Sequence, residues 1–202
     1  MTVDGTRITR AERQAQTRER LVEVARDLFL TEGYAATPLD RVAVAAGFSK
    51  GAVYSNFAGK EELCLAVLDS MHAEQIEGIV EAFSAHTDLD SRIDAFVEWA
   101  RRSVGNPRYT ALEVEFAAAA RHSPFVAREL VKRHREMRSM AAGLIAQIAE
   151  EEGIELALTP DQAATSLLSL GIGMGAMRSL DASIDVSVFA AAIRSLVRAK
   201  NS

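Results

Sequence analysis

Thr37-Pro38-Leu39-Asp40-Arg41-Val42-Ala43-Val44-Ala45-Ala46-Gly47-Phe48-Ser49-Lys50-Gly51-Ala52-Val53-Tyr54-Ser55-Asn56-Phe57-Ala58-Gly59-Lys60 is the stretch that decides the fold. Thr37 can cap a helix, Pro38 suits its first turn, and Asp40 sits where an acid favours the free N–H groups. Leu39, Val42, Ala43 and Ala46 recur at helical spacing, and Gly47 can take the left-handed conformation that a turn requires. Ser49 then caps a second short helix, Lys50 to Phe57, with Val53 and Phe57 turned inward. Gly59 breaks it, and a long helix opens at Lys60. Two short helices across a glycine turn have the form of a DNA-reading helix-turn-helix, in which Val53 locks the second helix down and leaves its other side for the major groove. Any compact three-helix domain shares that outline, so the pattern alone leaves both readings open.

Outward from this stretch the chain is helical in both directions. Leu21, Ala25, Leu28 and Phe29 mark a helix from about Thr17 to Glu32, stopped by Gly33. Before it, a polar arm carrying Arg7, Arg10 and Arg13 merges into this helix; its arginines could add phosphate or minor-groove contacts, and an arm without fixed structure is the commoner case. After it, the helix from Lys60 continues to about Ala85. Further helices are expected over Ser91–Val104, Pro107–His122, Pro124–Glu152, Pro160–Leu180 and Val186–Lys200, separated by Gly105, Ser123-Pro124 and Gly153. No period-two alternation persists. The expectation is an all-α chain of about nine helices. Residues 1–60 would form the arm and helix-turn-helix, and residues 61–202 a larger ligand-sensing and dimerisation domain.

Charge supports that division. Residues 1–60 carry nine Lys/Arg against seven Asp/Glu, whereas residues 61–202 carry 14 against 21. A mildly basic head on an acidic body suits contact with a polyanion at one end. Cys64 is the single cysteine, which excludes an internal disulfide and a thiolate cluster. The longest uncharged run, Gln162–Met177, is 16 residues and holds three glycines, too short and polar to span a bilayer. Met1–Arg20 has no apolar run of the kind a secretory signal needs, so a cytoplasmic location without membrane contact is expected.

The run from Thr37 to Leu63 resembles the N-terminal signature of the TetR family of bacterial repressors, and the likeness extends without gaps from about Thr17 to Leu68. It rests on the cap, the turn glycine, Tyr54-x-x-Phe57 and Lys60-Glu61-x-Leu63 falling at the family's spacing. The resemblance implies that Thr37, Ser49, Tyr54 and Lys60 hold DNA phosphates. It implies that Lys50 reaches guanine or a phosphate, and that Gly51, Ala52 and Ser55 face the bases. Asn56 stands where many members carry histidine; an amide can still donate to the backbone. The face-on residues are small, so phosphates and DNA shape should supply much of the affinity. Lys60 is the most telling, because a cation in a helix's first turn opposes the macrodipole by about 0.3–1 kcal/mol. Beside free N–H groups it makes a phosphate clamp. A plain cap (Thr37, Ser49), a rim aromatic (Tyr54) or surface lysines (Lys50, Lys60) are the alternatives.

The C-terminal helices imply a homodimer. Leu167, Gly171, Met174 and Gly175 on the penultimate helix, with Phe189, Ile193 and Leu196 on the last, are the expected interface. Gly171-x-x-x-Gly175 would allow close approach there. Burial inside the monomer is the alternative. An unidentified small-molecule effector would lie among Phe96, Trp99, Tyr109, Glu113, Phe116, His122, Met137 and Met140, although such residues also make ordinary core. His72, His86, His122 and His134 lack metal-ligand spacing, and no nucleophile-base-acid set stands out, so no metal, cofactor or catalysis is expected. The leading reading is a ligand-released repressor on a pseudo-palindromic double-stranded operator. The alternative is a small-molecule-binding helical protein that has lost DNA binding; a helical scaffold without ligand is a third.

Overall fold

A computed structural model describes residues 9–197, and among them nine α-helices account for nearly all regular structure. α1 (Arg10–Glu32) starts earlier than the expected Thr17 because Thr9 and Glu12 form a capping box. The Thr9 hydroxyl accepts the Glu12 N–H at 3.2 Å, while the Glu12 carboxylate accepts the Thr9 N–H at 2.6 Å. Arg10 and Arg13 are therefore helical rather than part of an arm, and Arg7 lies outside the described residues. Gly33, at φ +89°, ends α1.

α2 (Leu39–Ala46) has Pro38 rather than Thr37 at its cap position. Thr37 is fully buried, and its hydroxyl donates to the Gly33 carbonyl at 2.8 Å, bracing the turn between helices instead of capping the second. Gly47 takes the left-handed conformation at φ +75°, as its place between two helices requires. α3 (Lys50–Tyr54) is capped by the Ser49 hydroxyl, which accepts from the Ala52 N–H at 3.2 Å. It ends at Tyr54, short of the expected Phe57, yet Val53 and Phe57 are both buried as their spacing predicts.

α4 (Lys60–Ser84) buries Leu63, Cys64, Leu65, Val67, Leu68 and Met71, all in its first half. That burial moves the division of the chain. One compact unit runs through Met71 and includes Ala111–Phe116, so the boundary expected after residue 60 falls inside α4. The second unit holds His72–Thr110 and the chain from Ala117 onward.

In the second unit, α5 (Leu89–Ser103) is capped by Asp88, α6 (Pro107–Ala119) by Asn106 and α7 (Pro124–Glu151) by Ser123. α8 (Pro160–Leu180) opens on a capping box between Thr159 and Gln162. α9 (Val188–Ser195) is shorter than expected, because Val197 forms an isolated bridge with Leu156 and the Leu196 carbonyl accepts the Ala157 N–H at 2.7 Å. Lys200, its expected end, lies outside the described residues. α7 packs along α8, and α9 packs on both α5 and α8. Their core gathers Ala100, Met174, Val186 and Phe189, with Phe96 and Trp99 against it.

One side chain of α8 ties the end of α5 to the loop between α8 and α9. The Arg178 guanidinium donates through Nε to the Val104 carbonyl at 3.1 Å, through Nη2 to Arg101 at 3.3 Å, and through Nη1 to Ala182 at 3.1 Å and to Ile184. A cation suits the carbonyl-rich C-terminus of α5. It reaches there because Gly105 lacks a side chain: a Cβ at Gly105, where φ is +90°, would stand 2.3 Å from the Arg178 Cβ. Gly105→Ala should therefore cost more than about 2 kcal/mol from backbone strain and overlap. Gly143→Ala, in mid-α7 with no neighbour within 4 Å, should instead stabilise by about 0.5–1 kcal/mol. Urea unfolding of both variants measures the contrast.

Candidate nucleic-acid interface

The outer side of α3 is open to solvent. Lys50, Gly51, Tyr54 and Ser55 are exposed and Ala52 is half-buried, whereas Val53, between them, is 1% exposed. Tyr54 keeps 58% of its surface in water, with its ring open to a partner. Lys50, at the start of the helix, is paired with the Asp40 carboxylate of α2. The hydrogen bond to Asp40 raises the lysine's pKa. Val44 on α2 is 75% exposed and falls outside that helix's buried stripe.

Two expected contacts are otherwise engaged. Thr37 cannot offer its hydroxyl to a phosphate while it is buried against Gly33. The Asn56 amide is turned back into its own helix end: Nδ2 donates to the Ala52 carbonyl at 2.7 Å, and Oδ1 is buried without a partner. The Ser55 hydroxyl shares that carbonyl at 2.9 Å.

Lys60 is half-buried at the start of α4. Its Nζ donates to the Ala35 carbonyl at 3.1 Å and stands 4.4 Å from the centre of the Tyr34 ring. Loss of hydration holds the ammonium below the ordinary lysine pKa. The Tyr34 phenol is pushed up to about 12, first by burial and then by neighbouring Cys64, Glu61 and Glu115.

Arg18 has no role in the sequence reading, and Glu115, there a possible polar contact of the effector pocket, has a different one. Arg18 of α1 donates to the Asn56 carbonyl at 2.8 Å and lies 4.1 Å from the centre of the Phe57 ring, so it caps the segment that follows α3. Glu115 of α6 accepts the N–H groups of Tyr34 at 2.9 Å and Ala35 at 2.7 Å. Neither has a local signal, since each partner is distant in sequence.

The residues assigned to an effector pocket do not form one group. Glu113 and Phe116 belong to the first unit, where Phe116 is fully buried with its ring 5.2 Å from that of Tyr34. Phe116 is therefore core of the head. Phe96 and Trp99 are stacked at 5.5 Å in the second unit, and Phe96 also meets Phe83 and Phe189. Tyr109 and Met137 are half-buried, while His122 and Met140 are exposed. The dimer residues need a similar correction. Met174 and Phe189 are buried in the monomer's own core, at 7% and 2% exposure, so they are not free to meet a second copy. Leu167, Gly171, Gly175, Ile193 and Leu196 are half-buried. The uncovered apolar face of α8 runs through Ile172, Met177 and Leu180 instead. Among the described residues, no group of three His, Cys, Asp or Glu side chains is placed to hold a metal, and no helix is long and apolar enough to cross a membrane.

Two family models match, with a gap of some twenty residues between them. Residues 21–67 match bacterial regulatory proteins of the tetR family, and residues 89–199 match the BetI-type transcriptional repressor C-terminal region. The chain belongs to the TetR family. Its helix-turn-helix head is the part that the bacterial regulatory model covers. Over 94 residues it is 37% identical to the HTH-type transcriptional activator FasR of Mycolicibacterium smegmatis, covering 46% of this chain and 41% of that one. TtgR of Pseudomonas putida is 36% identical over 84 residues, 41% of this chain and 40% of the relative. Both likenesses thus span less than half of the relative. UidR of Escherichia coli is 24% identical over 82% of each chain. Among solved structures, reduced NemR of Escherichia coli aligns with a TM-score of 0.71 at 20% identity, over 91% of this chain and 98% of its own, which speaks for the TetR-type fold.

Within this TetR-family head, Thr37 has a bracing role that can be separated from DNA contact. Thr37→Val keeps the shape and removes the bond to Gly33, which should cost about 1 kcal/mol in thermal or urea unfolding. The salt dependence of DNA binding should stay as it is. Loss of a phosphate contact would lower that slope by about one unit.

Proposed function

We propose that the chain is a homodimeric repressor that occupies a pseudo-palindromic operator and leaves it when a small-molecule effector enters the second unit. The observation that carries this reading is the outward face of α8. Ile172, Met177 and Leu180 are 65%, 56% and 92% exposed, with Gly173 and Ala176 between them. An apolar stripe in water favours a covering partner, and a second copy supplies the same face by two-fold symmetry. Gly171, Gly173 and Gly175 meet no atom of their own chain within 4 Å, which leaves room for a neighbouring helix to come close. In such a dimer two copies of α3 would read major-groove faces about 34 Å apart.

The match of residues 89–199 to a region described as a repressor's C-terminal part supports repression over activation. The effector reading rests on the half-buried aromatic group Phe83, Phe96 and Trp99 of the second unit, side chains of the kind that line sites for apolar ligands. Such a ligand would favour a state in which α4 has tilted, and about 1–3 kcal/mol of coupling is usual for such a switch. On the DNA, Ser49, Lys50, Tyr54 and Lys60 would grip phosphates or a guanine while Gly51, Ala52 and Ser55 lie near the bases.

Selection from randomised duplexes should return an inverted repeat, and sedimentation should show a dimer. Ile172→Glu combined with Leu180→Glu should give a folded monomer whose affinity for the repeat falls more than about tenfold, since each half-site then binds alone. A wild-type monomer that binds a single half-site would overturn the dimer. A selection that returned no preferred sequence would overturn the operator.

A further inference from the structure

Beside the DNA-facing head, α6 contributes a carboxylate whose geometry has a specific consequence for Lys60. Residues 33–37 form the turn between α1 and α2, and its N–H groups at Tyr34 and Ala35 point the same way. Glu115 accepts both, one on each carboxylate oxygen, at 2.9 and 2.7 Å. Next to it, Phe116 is fully buried with its ring edge-on to Tyr34. The other side of the same turn faces Lys60: the Ala35 carbonyl takes the ammonium at 3.1 Å, and the Tyr34 ring lies beneath it. One peptide segment thus carries an anion on its N–H side and a cation on its C=O side.

We propose that Glu115 is a positioning residue for DNA binding, holding the Tyr34–Ala35 turn so that its carbonyl and ring seat the Lys60 ammonium. This rests on the reading of Lys60 as a phosphate contact. A lysine has four rotatable side-chain bonds and correspondingly much rotamer freedom to lose. A seat that holds the ammonium by one carbonyl and one ring face while Lys60 stays partly exposed removes much of that loss before DNA arrives. The seat is made of neutral groups, a carbonyl dipole and a ring face, so the ammonium keeps its charge for an incoming phosphate. The Glu115 carboxylate accepts two amides and also acts through space on the ammonium, favouring its charged form. Lys50 differs, being paired directly with a carboxylate. Without Glu115 the turn would lose the acceptor for two N–H groups, and the carbonyl that seats Lys60 would lose its fixed direction.

The test is a double-mutant cycle on the full-length chain, reading DNA affinity by fluorescence anisotropy against salt, on a duplex recovered by selection. Lys60→Ala should lower the salt slope by about one unit. Glu115→Gln keeps the shape but loses an acceptor oxygen and the charge; it should lower the slope by a similar amount, and the double variant should lose no more than Lys60→Ala alone. Glu115→Asp, which keeps the charge but is too short to reach both amides, should fall between wild type and Gln. Leu21→Ala, a fully buried position of the same unit away from the seat, should lower the melting temperature and leave the slope unchanged. Full additivity of Glu115→Gln and Lys60→Ala would overturn the proposal, as would the same slope loss in Leu21→Ala. An unchanged slope in Lys60→Ala would instead remove Lys60 from the phosphate contacts, and the seat would have no role in binding.

Discussion

A helix of five residues has no stability of its own in water, because fixing its first turn costs more than its few hydrogen bonds return. α3 is such a helix, and the DNA-reading surface depends on what its neighbours lend it. Val53 and Phe57 are buried to 1% exposure and pin its inner side. Ser49 satisfies an N–H at its start, and Arg18 takes the Asn56 carbonyl just past its end. Gly47 allows the chain to reverse from α2 without strain. Each of these acts on the backbone or the inner face. The outer face is thereby relieved of packing, which is why it can carry Gly51, Ala52 and Ser55, small residues of which only Ser55 makes a side-chain bond, to the Ala52 carbonyl of its own helix.

Where the structural signal was local, the sequence was readable. Ser49 as a cap, Gly47 as a left-handed turn, and Val53 and Phe57 as inward residues follow from spacing and from the backbone demands of a turn. The helix starts at Pro107, Pro124 and Pro160 follow likewise, each preceded by a side chain that caps. Thr37-Pro38 shows the limit of local reading. Its threonine has the right chemistry to cap, but the buried Gly33 carbonyl competes for the same hydroxyl, and a tertiary bond prevailed over a local one. Thr9-x-x-Glu12 is a capping box in plain view, passed over because the polar stretch around it lacks an apolar stripe.

The face of α8 was illegible for a different reason. The helix is apolar almost all round, so its sequence has no phase to mark an inner side. Met174 and Ile172 look alike as residues; only the packing of α5 and α9 buries the first and leaves the second in water. The aromatic residues suffered the same ambiguity. Phe96 and Phe116 both sit at helical spacing, yet one joins the core of the second unit and the other closes the head. That α6 supplies residues to both units is a property of the fold, invisible in a list of helices.

Charge pairing separates cations that composition treats as equal. Arg41 is bound to Glu32 at 2.9 Å, Lys50 to Asp40, and Arg18 lies 3.9 Å from Glu62. Exposed pairs of this kind are worth little to stability, about 0–1 kcal/mol each, but they set what a polyanion meets. A lysine bonded to a carboxylate presents a dipole, and the carboxylate must turn away or remain as a repulsion when a phosphate arrives. Lys60, bonded to a carbonyl, presents a net charge. So the small excess of Lys and Arg in the head understates its local field at that point. The two lysines of the head differ in this respect: a base or phosphate must displace Asp40 from Lys50, whereas Lys60 is held by a carbonyl and a ring, with the Glu115 carboxylate acting on it only through space.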